Sequence, residues 1–194
     1  MPLTIPTAPA AVHAAVQRGL QQLASRRKDA VWVGAVESGV YPVFILNKDD
    51  VLQMKSLNAS RLAGWRYILE PAASTQPSGV VKAAAEVTQV GGAFRFSHLQ
   101  HGWLGDAMTR AISAAADAPA VANGTYEPRA LRIPSLYVEA LWLKDQAADD
   151  DLVMAIASPL SDILRVELYS VNEFLSRLRT LAEARPRFDD RPQS

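Results

Sequence analysis

A chain of 194 residues with twenty basic and twenty acidic side chains has no net formal charge, and 49% of it is hydrophobic. That length suits one globular domain with a sizeable core, and the charge balance argues against a nucleic-acid binder held mainly by electrostatics, which shows a basic excess, while leaving room for a local patch. Cysteine is absent, which excludes a disulfide framework, thiolate catalysis and zinc–thiolate sites. The N-terminus lacks the basic start and apolar core of a secretory signal, and no apolar run approaches bilayer length, so a cytoplasmic protein with no membrane association is expected.

After a proline-broken start, Val12, Ala15, Val16, Gly19, Leu20 and Leu23 form an apolar stripe that predicts an amphipathic helix over 9–27. Arg26, Arg27 and Lys28 close it, where cations complement the helix dipole. Val31–Val36 and Val40–Leu46 are β-rich and flank Glu37-Ser38-Gly39, so they read as a hairpin, with Pro42 demoting one strand towards an edge. Ser38 lacks the strand-turn-helix context of a nucleophile elbow and is read as turn chemistry. Asn47 caps a short helix through about Leu57, Trp65–Leu69 is a strand ended by Pro71, and Ala72–Ser78 is a loop.

The chain is organised around 79–116. Val81, Ala83, Ala85 and Val87 alternate with Lys82, Ala84, Glu86 and Thr88, the period of a half-buried strand. Gly91-Gly92 then permits a tight turn, and Phe94 and Phe96 alternate with Arg95 and Ser97 in a second strand. Two continuations are open at Ser97. If the strand runs on, His98 stays on the Phe94/Phe96 face and His101 points the other way. If Ser97 caps a helix with Gln100 completing the box, His98 and His101 share one helical face. The helix is firm from about Trp103, because Leu104, Met108, Ala111 and Ala115 follow its period.

Beyond a loop at Ala118–Glu127, Ala130–Ile133 and Leu136–Leu143 read as strands interrupted by Pro134. The second is apolar on both faces, hence central, with Glu139 at a rim or semi-buried. Asp145 and Asp149–Asp151 lack the spacing of a calcium loop and read as a solvated turn. Leu152–Ala157 is a further strand, Ser170 and Glu173 form a capping box before a last helix, and the tail from Pro186 is expected to be disordered. No internal repeat is visible. The expectation is an α+β fold, a single domain over 1–185 and a tail over 186–194, with a mainly antiparallel or mixed sheet packed on N-terminal, middle and C-terminal helices.

Phosphate loops, dinucleotide glycine motifs and His-Glu-x-x-His are absent. His98 and His101 are the one place where two imidazoles lie close, and Glu86, Asp106 or Glu139 would complete a two-histidine, one-carboxylate metal site. His13 is read as a surface residue. Four tryptophans and five tyrosines suit a pocket or partner surface, but on strands they pack as core by default. The first functional expectation is a non-catalytic binding or protein-interaction module with no cofactor, whose partner is a protein or small molecule. The alternative is a metal-assisted hydrolase at His98/His101. A homodimer is expected only on base rates.

Overall fold

The computed structural model describes residues 2–26, 30–71, 82–158 and 162–184. The loop expected at Ala72–Ser78 and the tail from Pro186 lie outside them. The first apolar stripe forms α1 (Ala10–Ser25), burying Val12, Ala15, Val16, Gly19 and Leu20. The expected hairpin at 31–46 is instead a 3-10 turn (Ala30–Trp32) followed by one strand, β1 (Val36–Ile45). Ser38 is a bulge in it: Glu37 pairs with Leu69 and Gly39 with Ile68, so the glycine read as a turn continues the strand.

Pro42 lies in the sheet's interior rather than at an edge. It pairs with Trp65 on one side, and on the other the ladder to the next strand begins only at Val43, so the missing N–H interrupts no bond there. The helix after Asn47 is short, α2 (Lys48–Leu52), and a 3-10 turn (Leu57–Ala59) capped by Ser56 leads into β2 (Arg61–Glu70). β3 (Ala83–Val90) and β4 (Ala93–His101) form the expected hairpin, with Gly91 and Gly92 at φ 57° and 80°. The strand runs on through His101, and α3 (Trp103–Ala116) starts after Gly102.

β5 (Tyr126–Ile133), β6 (Val138–Asp145), β7 (Leu152–Ala157) and the short β8 (Leu168–Ser170) complete the sheet, and α4 (Val171–Ala184) follows. Ser170 Oγ accepts the Glu173 N–H at 3.3 Å, the half of the capping box that holds the helix start. Asp151 is not solvated: its oxygens accept from Trp142 Nε1 at 2.8 Å and from the Asp145 N–H at 2.9 Å.

The fold is α+β, with one mixed sheet in the order β4-β3-β2-β1-β5-β6-β7-β8. Every neighbouring pair is antiparallel except β1/β5, which is parallel over only Val43–Ala130, Phe44–Leu131 and Ile45–Arg132. Four meandering strands followed by a helix thus occur twice, and the two meanders meet at a three-pair seam. No sequence repeat announces this.

Side-chain alternation distributes the helices. On the front face, Trp65, Tyr67, Leu69, Ala83, Ala85 and Val87 pack under α1, while Leu131, Ile133, Val138, Ala140 and Trp142 pack under α2 and α4. On the back, Tyr41, Val43, Ile68, Ala84, Ala130, Leu141 and Leu143 pack under α3 alone. β6 is therefore covered on both faces, as its composition predicts.

Candidate functional site

Each of four inner strands carries one charged residue inside an apolar run: Arg66 between Trp65 and Tyr67, Glu86 between Ala85 and Val87, Arg132 between Leu131 and Ile133, and Glu139 between Val138 and Ala140. Period-two alternation turns all four to the back face. They meet there. Glu86 Oε1 accepts from Arg66 Nε at 2.8 Å, from Arg66 Nη2 at 2.6 Å and from Arg132 Nη2 at 2.7 Å. Glu139 accepts from Arg66 Nη2 through Oε2 at 2.9 Å and from Arg132 Nε through Oε1 at 2.6 Å. Each arginine thus holds one glutamate of its own meander and one of the other, closing an ionic clasp over the β1/β5 seam.

Exposure of the side chains is graded across the clasp, from 0% at Arg66 and 4% at Glu86 to 16% at Glu139 and 25% at Arg132. Arg66 Nη1 is buried without an acceptor among the described residues. Burial alone pushes the Glu86 carboxyl up, but the charges and hydrogen bonds of Arg66 and Arg132 outweigh it and hold the group below its ordinary value. Arg132 is likewise tightened: burial opposes its charge, and the two carboxylates more than restore it. Glu86 is therefore a fixed anion at neutral pH, suited to accepting hydrogen bonds rather than to moving protons.

The expected metal set is not assembled. Glu86 pairs with His98 and Val87 with Phe96, so Ser97 is an extra residue in β4. That bulge turns His98 to the back face, away from Phe96, which packs on Gly19 of α1 at the front. His98 Nε2 stands 3.9 Å from Glu86 Oε2, with a 44% exposed side chain. His101 pairs with Ala83 and lies against Trp32 on the front, ring centroids 5.5 Å apart. The two imidazoles occupy opposite faces, and Glu86 is already committed to two guanidinium groups, whose charge opposes a cation. Asp106 accepts the Lys82 N–H at 3.4 Å. Among the described residues no group of three or more histidines and carboxylates has the arrangement of a metal site.

His13 is at the surface and pairs with Glu37, Nδ1 to Oε1 at 2.9 Å. The aromatic residues divide: Trp32, Trp65, Trp142, Tyr41, Tyr67, Tyr126 and Tyr169 are core, whereas Trp103 and Tyr137 are exposed. A surface cleft of about 510 Å³ lies between the β1–α2 junction and Pro134-Ser135, lined also by Lys48, Asp49 and Asp50. No helix among the described residues is long and apolar enough to cross a membrane. The clasp was missed in the sequence because its members are up to 73 residues apart, yet a lone charge within an otherwise apolar strand was the available signal. Comparison of the chain with family models, with curated proteins and with solved structures finds no match.

Proposed function

We propose that the protein is a non-catalytic binding module that engages another protein across the clasp margin of its back face. The supporting observation is the graded exposure of Glu86, Glu139, Arg132 and His98 at the margin of the α3 footprint. With Arg66 beneath, the two arginines balance the two glutamates, so the margin presents a fixed pattern of hydrogen-bonding groups. Such a surface confers register and specificity on a complex more than raw affinity. The ionised, doubly held Glu86 is consistent with this role, since it is stabilised in one protonation state.

Site-specific photo-cross-linking in the native host tests the reading. A cross-linking amino acid at Thr88, which stands on the back face beside the clasp, is expected to capture a discrete partner. The same group at Glu183, exposed on α4 at the front, is expected to capture none. Equal capture from both positions, or none from Thr88, overturns it.

A further inference from the structure

β4 is one edge of the sheet and spans nine residues, whereas the opposite edge, β8, spans three. Among the described residues nothing pairs with its outer side, leaving a row of backbone donors and acceptors. Exposed edges of this length are usually shortened, charged, bulged or covered; β4 is neither short nor covered, and carries only the bulge at Ser97 and the charge of Arg95. The two side-chain rows of β4 differ sharply. Phe94, Phe96 and Leu99 lie on the front beside α1, half-buried, while Arg95, His98 and Gln100 lie on the back. Arg95 is exposed, makes no ion pair among the described residues, and is the one formally charged residue of the strand apart from its histidines.

A second copy of the chain fits this edge poorly. α1 packs chiefly over β4, with Gly19 against Phe96. A two-fold axis joining β4 to its own copy would set the two β4 strands about 4.8 Å apart. β4 holds no acidic side chain, so neither copy would set an opposite charge against the other's Arg95. An acidic extended segment would.

We infer that β4 is a strand-addition site, and that its ligand is an extended segment of another protein in which apolar residues alternate with acidic ones. Main-chain hydrogen bonds to β4 supply the affinity. The apolar row of the ligand covers Phe94, Phe96 and Leu99, and its acidic row faces Arg95 and His98, the cross-strand pairing that stabilises neighbouring strands. This inference rests on the binding-module reading and meets it at His98, which belongs both to β4 and to the clasp margin.

The test uses the full chain and a synthetic peptide of nine residues, the length of β4, alternating valine and glutamate. Hydrogen exchange followed by NMR is expected to show outward-facing amides within Ala93–His101 becoming protected on peptide addition. Arg95→Glu is expected to weaken the glutamate peptide roughly fivefold at low salt, the scale of an exposed ion pair, and to favour a valine–lysine peptide instead. Arg95 is exposed, so the variant's melting should match the parent's. No protection in β4, whether the peptide binds elsewhere or not at all, overturns strand addition. If Thr88 cross-links persist while β4 stays unprotected, the edge inference alone falls. If β4 is protected and Thr88 captures nothing, the back-face reading alone falls.

Discussion

Arg66 donates to Glu139 at 2.9 Å across 73 residues of sequence and two intervening strands. With its counterpart from Arg132 to Glu86, it joins two meanders whose only shared ladder is three pairs long. Removing one member of a buried ionic set leaves an uncompensated charge, which typically costs about 3–5 kcal/mol. Glu86→Gln is therefore expected to lower stability by about 3 kcal/mol, read from urea unfolding. Arg66→Met added to Glu86→Gln should cost clearly less than the sum of the two single changes, because both buried charges then go together. Additive losses would show that the two residues do not act as a unit.

The same carboxylate sets an acid limit. Its folded value is depressed below the ordinary 4.5, so the unfolded chain binds the proton more readily. The contribution of Glu86 is complete above the unfolded value and is lost as pH falls from about 4.5 towards the folded value. Asp145 moves in the same direction, through the backbone N–H of Ala147 above all. Thermal melting should be flat near neutrality and fall below that limit, with a shallower fall in Glu86→Gln. An unchanged acid slope in that variant would assign the loss to other groups.

Gly19 gives a sign test of how α1 meets β4. A β-carbon there would overlap the Phe96 ring. Alanine gains about 1 kcal/mol of helix propensity over glycine, but overpacking costs about 1–3 kcal/mol. Gly19→Ala should be net destabilising in the parent and stabilising once Phe96→Gly has removed the whole side chain, whose Cβ alone would stand 2.6 Å from the new methyl. The same sign in both backgrounds would refute the contact.

With His98 and His101 on opposite faces and Glu86 held by two arginines, native mass spectrometry of protein purified without chelator is expected to show the mass of the chain alone. One stoichiometric divalent ion, lost in His98→Ala, would reopen the metal-assisted reading.

Much of the fold was legible because it follows from local periodicity. The hairpin around Gly91-Gly92 and the two-sided burial of β6 follow from alternation over a few residues, whereas the sequence leaves the α3 start open between Ser97 and Trp103. The bulges at Ser38 and Ser97 were not legible, since one extra residue reverses every later side chain without leaving a signature. Gly39 was misread for a related reason. Glycine suits a turn, but here it lies within the strand, and its missing β-carbon leaves room for the phenol end of Tyr41. The clasp depends on which strands become neighbours, and nothing within any one strand states that. Arg66 is a charge in a run with no polar face to receive it, whereas Glu86 reads in the sequence as part of a solvent-facing row with Lys82 and Thr88.

The seam between β1 and β5 also has a mechanical consequence. Every other inner ladder is long, whereas this one has three pairs, reinforced by two arginines and the α3 helix beneath. Among the inner ladders, a load pulling the sheet apart sideways would find its fault line there; only the terminal β7/β8 ladder is as short.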